Sequence, residues 1–283
     1  MLKVSALTYT YPAASVPAIA DLEFEVSEGE VFGLLGPSGA GKSTTQGALI
    51  GLLRGWQGEV SVMGRALRDW GADYYEHIGV SFEIPNHFFK LTARENLDYF
   101  RSLYSATTSS AEEVLSLVGL EDSLDVRVSE FSKGMKSRLT FARSLLHHPK
   151  LLFLDEPTAG LDPVNALNIR EIVRQRQAGG TTVVLTTHNM QVADDLCDRV
   201  GFIVEGRLKV VDAPDALKHR LGRRAVRVTL ATEHGFEDRE FDLDGLADNT
   251  GFLDALRQNV RAIHSEETTL EDVFIQVTGS QLT

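Results

Sequence analysis

The glycine-rich segment Gly36–Ser43 constrains the fold of this chain more than any other feature. It reads Gly-Pro-Ser-Gly-Ala-Gly-Lys-Ser, which matches the phosphate-loop pattern of Gly, four residues, then Gly-Lys-Ser. The flanking residues fit the context of that pattern, because the apolar run Val31–Leu35 predicts a buried strand before the loop and Thr45–Leu53 predicts a helix after it. A strand, a glycine turn and a helix in this order favour an α/β fold whose helix N-terminus faces an anion.

The residue types in this loop favour the phosphates of a nucleotide as the anion. Glycines let backbone N–H groups turn inward around phosphate oxygens, Lys42 supplies a positive charge to the β- and γ-phosphates, and the Ser43 hydroxyl is a ligand for Mg²⁺. The predicted nucleotide-binding residues are Gly36, Pro37, Ser38, Gly39, Ala40, Gly41, Lys42, Ser43 and Thr44.

A second motif carries two carboxylates at the end of another apolar run. Leu151–Leu154 is followed by Asp155 and Glu156, the pattern of a Walker-B strand. Ligand sites in open α/β sheets lie at the carboxyl ends of the strands, so this strand end is expected to meet the phosphate loop. We interpret Asp155 as a Mg²⁺ ligand, directly or through water, and Glu156 as the group that polarises the attacking water.

The sequence Phe-Ser-Lys-Gly-Met, starting at Phe131, resembles the signature motif of ABC-type ATPases. It departs from the common form, which has Leu, Gly and Gln where this chain has Phe131, Lys133 and Met135. Ser132 and Gly134 are retained, and a hydroxyl beside a close-approach glycine at a helix N-terminus can cap a γ-phosphate. The resemblance implies that these two residues contact ATP held by another copy of the domain.

Further residues agree with the same family. Asp162 ends the sequence Ala-Gly-Leu-Asp at the distance of a D-loop from the Walker-B carboxylates, and His188 follows a predicted strand as the switch histidine of these ATPases does. The resemblance assigns His188 to catalysis beside Glu156. Tyr11, which precedes a proline, is interpreted as the aromatic residue that stacks on adenine, with Tyr9 as the alternative.

Glu83 is an informative departure from the family. ABC ATPases usually carry a glutamine at this point, at the end of the strand that follows the phosphate-loop helix, and no glutamine lies between Gln57 and Gln175. Glutamate has the same length and still offers an oxygen, and hard cations favour anionic oxygen ligands. We therefore hypothesise that Glu83 is the functional residue of this loop, with roles in catalysis and in binding Mg²⁺.

From about Met1 to Ala213 these motifs follow the order found in the ATP-binding subunits of ABC transporters. The resemblance implies ATP and Mg²⁺ as cofactors and an α/β fold: a P-loop (RecA-like) ATPase core with an antiparallel β subdomain and a helical subdomain at about 84–149. Residues 221–283 are predicted to form a small C-terminal α+β module. Its segment Thr269–Phe274 and the Ser-Lys-Gly-Met form of the signature resemble bacterial drug and antibiotic exporters.

The resemblance implies an ATPase that powers export of a small molecule through a separate integral membrane permease. Two ATPase domains, in a homodimer or a heterodimer, are expected to close on ATP and reopen after hydrolysis. The implied location is cytoplasmic, peripheral on the inner face of the cell membrane. Composition agrees, because no run reaches the ~18 apolar residues of a membrane helix, and Met1–Tyr11 does not read as a signal peptide.

Charge and missing motifs weigh against other functions. Lys and Arg total 28 against 40 Asp and Glu, a net charge of -12, which argues against a protein that coats nucleic acid. The main alternative is a non-transport ABC ATPase of translation or DNA repair, but no long coiled coil and no second ATPase domain is predicted. A GTPase would need an Asn-Lys-x-Asp guanine reader, which the sequence lacks. The pair His147 and His148 is interpreted as a solvated helix end rather than a metal site.

Overall fold

The computed structural model describes residues 1–222, 225–232, 235–266 and 268–279. Over these residues the chain divides into two compact units, one comprising Met1–Ala213 and the other beginning at Pro214. The strands of the first unit, in chain order, are β1 Leu2–Tyr9, β2 Ile19–Val26, β3 Val31–Leu35, β4 Gln57–Val62, β5 Arg65–Ala66, β6 Ile78–Ser81, β7 Leu151–Asp155, β8 Thr182–Thr187, β9 Arg199–Val204 and β10 Arg207–Asp212.

The central sheet has the strand order β10-β9-β3-β8-β7-β6. Its strands run parallel except for β10, which is antiparallel at the edge. All residues of β3 and β8 are buried, as expected for parallel strands with helices on both faces. Because parallel strands end at the same edge, the residues that follow β3, β6, β7 and β8 are brought together there.

The second sheet of this unit is antiparallel, with the order β2-β1-β4-β5. Alternate residues of β2, namely Leu22, Phe24 and Val26, are buried, while Glu23 and Glu25 are exposed, the pattern of a sheet with one wet face. The rings of Phe24 and Phe32 stack with centroids 5.1 Å apart, and both belong to the main apolar core. This contact joins the antiparallel layer to the central sheet.

The helices of the first unit are α1 Lys42–Leu49, α2 Ala93–Arg101, α3 Ala111–Leu117, α4 Lys133–Ser144, α5 Pro163–Ala178 and α6 Met190–Leu196. Helix α1 starts at Lys42, three residues before the predicted start, because Gly41 with φ 107° forms its N-cap. It ends at Leu49 rather than Leu53, before Gly51, whose φ of 77° is left-handed. The phosphate loop is therefore joined to α1 without an intervening segment.

The segment predicted to be mostly helical, 84–149, contains α2, α3 and α4. Helix α2 begins with a capping box between Thr92 and Glu95, and α3 begins with one between Ser110 and Glu113, as the sequence predicts. The three helices contact one another, and α4 is the one that carries the signature residues at its N-terminus.

The second unit consists of α7 Pro214–Leu221, β11 Ala225–Thr232, β12 Gly235–Asp242, α8 Thr250–Leu256, β13 Val260–Glu266 and α9 Leu270–Thr278. Its strands form an antiparallel sheet with the order β12-β11-β13. Val226, Val228 and Leu230 of β11 pack with Ala255 of α8 in a small core. This is the α+β arrangement predicted for the C-terminal module, with α7 added because it packs against α9.

Candidate functional site

The phosphate loop joins the buried end of β3 to α1 through tightly packed glycines. A Cβ atom at Gly36 would lie 2.1 Å from the carbonyl oxygen of Ile203, and one at Gly41 would lie 2.8 Å from the carbonyl oxygen of Ala18. Gly41 also has a φ of 107°, which an L side chain rarely adopts. Both positions therefore require glycine for the packing of the loop, independently of any bound ligand.

Lys42 is the first residue of α1 and is buried. Its ammonium donates to the carbonyl oxygens of Gly36 at 2.7 Å and Pro37 at 3.0 Å. The lysine therefore folds back over its own loop, and its role toward phosphate oxygens stays a prediction.

The surroundings of Lys42 are acidic. Burial lowers the pKa of its ammonium, and three carboxylates oppose this shift, in decreasing order Glu156, Asp155 and Glu83. The fold thus brings together the end of β7, the loop after β6 and the start of α1. These are three of the elements that the sequence predicts to form the site.

The two candidates for the adenine-stacking residue differ in their exposure. Tyr11 is 43% exposed and its hydroxyl lies 3.2 Å from Thr44 Oγ1, at the start of α1. Tyr9 is 7% exposed and belongs to the apolar core, where its ring meets that of Tyr11 edge to face at 5.0 Å. Only Tyr11 has a face open to a ligand, so the geometry favours it; its role stays a prediction.

Asp155 is the last residue of β7, and its carboxylate is held by hydroxyl groups. It accepts a hydrogen bond from Thr186 near the end of β8, and the hydroxyl of Ser43 on α1 is close enough to affect its pKa. Burial raises the pKa of this carboxyl, whereas the hydroxyl groups of Thr186 and Ser43 lower it. A carboxylate and a hydroxyl side by side are hard oxygen donors, and Mg²⁺ is usually held by one or two such protein ligands together with phosphates and waters. The residues present therefore fit Mg²⁺.

Glu156 and His188 contact each other directly. The carboxylate accepts from the His188 backbone N–H at 2.9 Å, lies 2.6 Å from His188 Nδ1, and accepts from the Thr187 hydroxyl at 2.9 Å. The Glu156 backbone has a left-handed φ of 47°, which non-glycine residues adopt rarely. The sequence predicts both residues at strand ends, and the parallel pairing of β7 with β8 brings them into contact.

Glu83 lies two residues after the end of β6 and is exposed. Its charge is close enough to Lys42 to oppose the lowering of that residue's pKa. The sequence predicts Glu83 at the end of the strand, but the strand ends at Ser81, which leaves Glu83 in the loop that borders the site. Its roles in catalysis and in Mg²⁺ binding stay predictions.

The signature residues lie at the start of α4, next to the D-loop. Ser132 is the N-cap residue and accepts from the Met135 N–H at 3.2 Å, which leaves its hydroxyl hydrogen for another acceptor. A Cβ at Gly134 would lie 3.6 Å from Leu161, so the signature and the D-loop adjoin. Asp162 caps α5 by accepting a hydrogen bond from the Val164 N–H at 3.1 Å. Its D-loop role toward ATP stays a prediction.

Three polar side chains of the site were not singled out from the sequence: Thr186, Thr187 and Gln46. The signal for the threonines is a pair of hydroxyl residues ending a buried strand, directly before His188. The signal for Gln46 is an amide four residues after Lys42, on the same face of α1. Gln46 is 3% exposed, and its Oε1 lies 3.3 Å from Thr186 Oγ1.

The interpretation of the histidine pair is wrong for one member. His147 is buried, its Nε2 lies 2.8 Å from the Ile78 carbonyl oxygen, and its ring stacks on Tyr104 at 4.0 Å. Packing of α4 against β6 buries it, although it lies near a helix end. Over the described ranges, no cluster of three or more His, Cys, Asp or Glu side chains suited to a metal is found.

Comparisons with known protein families agree with this geometry. Residues 19–159 match the ABC transporter family, and residues 224–267 match the fluoroquinolone efflux ABC transporter C-terminal domain. A fluoroquinolones export ATP-binding protein of Mycobacterium tuberculosis is 54% identical over 285 residues, which covers 100% of this chain and 95% of the relative. This relationship fits the transport interpretation and not the alternative of a translation or repair ATPase.

Solved structures give the same result for the fold. An ATP-binding subunit of an ABC transporter superposes with a TM-score of 0.71 at 32% identity, covering 78% of this chain and 93% of the other. A dimeric ATP-binding cassette bound to ADP and Pi in a post-hydrolysis state has a TM-score of 0.69 at 27% identity, covering 75% and 98%. Within the part of the chain that the structure describes, no helix is long and apolar enough to cross a membrane. The chain belongs to the ABC transporter family, as an ATP-binding subunit of the export type that hydrolyses ATP.

Proposed function

We propose that this protein hydrolyses Mg²⁺–ATP between two copies of its ATPase domain and thereby drives export of a fluoroquinolone-like drug through a separate integral membrane permease. The observation that carries the ATPase part is the cluster of Lys42, Asp155, Glu156 and His188 at the carboxyl edge of the central sheet. Residues 1–213 serve as the ATPase domain in this proposal, and 221–283 serve as an accessory module that is not needed for the nucleotide chemistry.

In the proposed mechanism the phosphate loop binds and orients the triphosphate. Lys42 and the loop's N–H groups neutralise phosphate charge, which stabilises the charge that spreads over the transferring phosphoryl group. Ser43, Asp155 and Glu83 would hold Mg²⁺, which would supply further neutralisation of the phosphate charge. Tyr11 stacks on the adenine ring.

Glu156 acts as the general base toward the attacking water. Its carboxylate is fixed by donors from Thr187 and His188, and this fixed geometry keeps an acceptor ready for the proton that leaves the water. His188 Nδ1, at 2.6 Å, orients the carboxylate. The side chain of His188 is 58% exposed, so its far edge is open to a phosphate oxygen.

The signature residues act on ATP held by the partner domain. The Ser132 hydroxyl and the N-terminus of α4 face solvent at the surface, where a γ-phosphate on a second copy can be capped. All the motifs lie in this one chain, so a homodimer is sufficient, although a heterodimer with a similar ATPase is compatible with the same site. A net charge of -12 supports a partner other than nucleic acid.

An apolar surface near Glu83 is the proposed contact with the permease. Ile84, next to Glu83, is 79% exposed, and the exposed ring of Phe88 meets that of Tyr99 at 5.0 Å. Clustered exposed apolar side chains mark interaction surfaces. Contact with a permease from the cytoplasm would keep the protein peripheral on the inner face of the membrane. The exposed apolar residues of this region are Ile84, Phe88, Phe89, Tyr99 and Leu103.

Drug accumulation in cells tests the proposal. The chain would be expressed with the membrane protein encoded beside its gene in a fluoroquinolone-sensitive host, and the intrinsic fluorescence of the retained drug would be measured. We expect less retained drug with the parent than with the matched control Glu156→Gln. If the parent and Glu156→Gln both bind ATP but retain equal amounts of drug in the cells, drug export would be contradicted. The purified parent would still be expected to hydrolyse ATP, so this result would contradict the proposed substrate without contradicting the proposed ATPase.

A further inference from the structure

Gln46 is a buried amide beside the Walker-B carboxylate. It lies on α1, 3% exposed, among buried apolar neighbours such as Ala48 and Leu49. Its Oε1 is 3.3 Å from the Thr186 hydroxyl oxygen. Within the described residues its Nε2 is buried and has no hydrogen-bond partner, an arrangement that is costly for a group with two hydrogens.

The number of hydrogens on the Thr186 hydroxyl determines how Gln46 and Thr186 can interact. The Thr186 hydroxyl has a single hydrogen, and the acceptors around it are Asp155 Oδ1, Gln46 Oε1 at 3.3 Å and the Leu154 carbonyl oxygen at 3.5 Å. The contact with Asp155 is the shortest of the three, and an ionised carboxylate is the strongest acceptor. The hydrogen therefore goes to Asp155, and Gln46 can bond to Thr186 only as a donor.

A half-turn of the amide about its last torsion satisfies this requirement. Oxygen and nitrogen exchange positions, so that Nε2 lies about where Oε1 lay and donates to Thr186 Oγ1. The result is a relay from Gln46 Nε2–H to Thr186 Oγ1–H to Asp155 Oδ1. An amide oxygen, which carries no hydrogen, then occupies the unpartnered position, and buried oxygens tolerate this better than buried N–H groups.

We propose that Gln46 is a positioning residue for Asp155: by donating to Thr186 it commits the threonine hydrogen to one carboxylate oxygen and holds the carboxylate in the rotamer that binds Mg²⁺ beside Ser43. The inference rests on the proposed role of Asp155 as a Mg²⁺ ligand. The Ser43 hydroxyl lies close to the same carboxylate, so the relay fixes Asp155 from the side of β8 while Ser43 faces it from α1.

The expected loss of metal affinity follows from the position of Gln46 in the relay. Loss of a group that hydrogen-bonds a metal ligand commonly weakens metal binding by about 10- to 100-fold. Thr186 is such a group, whereas Gln46 acts one bond farther away. We expect Thr186→Val to fall in that range and Gln46→Met, which keeps the length but cannot donate, to weaken binding by about 3- to 10-fold.

The test measures metal binding directly rather than turnover. Mn²⁺ would be titrated into protein saturated with a non-hydrolysable ATP analogue, with free Mn²⁺ followed by electron paramagnetic resonance. Affinity for the analogue in EDTA and the melting temperature would be recorded for each variant. We expect weaker Mn²⁺ binding for Gln46→Met, unchanged analogue affinity in EDTA, and no further loss when Gln46→Met is added to Thr186→Val.

Matched variants separate positioning from general damage. Gln177→Met makes the same substitution on α5, at an amide that bonds Asp198 at 2.6 Å, and should leave Mn²⁺ affinity at the parent value. Thr186→Ser keeps the hydroxyl and should retain most of the affinity. If Gln46→Met does not fold, Gln46→Leu replaces it in the same measurement.

Two results with folded variants, and one with the parent, would overturn the inference. A folded Gln46 variant with parent Mn²⁺ affinity would show that the relay does not position Asp155, and additive losses in the double variant would show that Gln46 and Thr186 act separately. If the parent itself showed no nucleotide-dependent Mn²⁺ binding, the role of Asp155 would be wrong and the inference would fall with it. That outcome differs from the other two because it appears before any variant is made.

Discussion

Replacing Glu156 with glutamine removes the proposed general base while keeping the shape of the side chain. The carboxylate is 9% exposed and has donors from His188 N–H, the Thr187 hydroxyl and the His188 ring within 2.9 Å. A glutamine oxygen at the position of Oε1 keeps the bond from His188 N–H, and its NH₂ group can donate to Thr187 Oγ1. We therefore expect a change in unfolding free energy of less than about 1.5 kcal/mol.

The effect of Glu156→Gln on ATP turnover should be much larger than its effect on stability. Loss of a general base costs about 10²- to 10⁴-fold in rate, which corresponds to about 3 to 5 kcal/mol of activation free energy. His188→Ala is the graded comparison, because it deletes the 2.6 Å ring contact but keeps the backbone N–H that donates to Glu156. Loss of one hydrogen bond to a charged group is worth about 1.5 to 3 kcal/mol, so we expect about 10- to 150-fold.

Steady-state phosphate release with saturating Mg²⁺–ATP measures these rates, and a fluorescent ATP analogue measures binding. Glu156→Gln should bind ATP like the parent and accumulate as the closed dimer in size-exclusion chromatography, since the complex forms without being hydrolysed. Turnover within about threefold of the parent would refute the base assignment, because a threefold change is only about 0.7 kcal/mol of activation free energy and loss of the base should cost about 3 kcal/mol or more. A greater loss of turnover in His188→Ala than in Glu156→Gln would contradict the assignment of Glu156 as the base and of His188 as the residue that orients it.

Four other changes test separate features of the protein. Lys42→Ala should abolish ATP turnover and weaken nucleotide binding, because its ammonium is the charge that α1 holds against the phosphates; near-parent turnover would contradict this. Glu83→Ala should raise the Mg²⁺ concentration for half-maximal ATPase, whereas Glu83→Gln should keep turnover within about tenfold, or about 1.4 kcal/mol; identical Mg²⁺ curves would leave Glu83 a surface residue. A chain ending at Ala213 should remain a folded ATPase with altered assembly or transport, and a soluble truncation that cannot bind ATP would count against an accessory module. Burial lowers the pKa of His87 to about 4, so the unfolded state binds more protons between about pH 4 and 6.5, and stability should fall by up to about 3 kcal/mol as pH falls through that window. Urea unfolding at pH 7 and pH 5 measures this, with His87→Gln expected to flatten the dependence.

The sequence alone was sufficient for those parts of the protein whose chemistry is local in the chain. Gly36–Ser43 contains within eight residues the turn, the charge and the hydroxyl that predict a site for phosphates and Mg²⁺, and the apolar run before Asp155 predicts that its carboxylate lies at a strand end. The capping boxes at Thr92 and Ser110 likewise predict helix starts from residues three positions apart. Such patterns succeed because every group they need comes from the same short segment.

Local sequence patterns did not predict which side chains are exposed to solvent. Tyr9 and Tyr11 have the same ring and lie two residues apart, yet one belongs to the core and the other is 43% exposed beside Thr44. His147 looks like a solvated helix end but is buried against Ile78. Burial depends on which elements pack over a residue, and that is a property of the whole fold.

The pairing of site residues was also decided by the tertiary structure. Strand β8 lies between β3 and β7, although β7 precedes it in the chain and β3 lies far upstream. This order brings His188 onto Glu156 and puts Thr186 between Asp155 and Gln46. A motif can predict that a carboxylate ends a strand, but the hydrogen bonds that hold the carboxylate come from neighbouring strands. Which strands are neighbours follows from the crossover connections of the sheet, which no single segment of sequence contains.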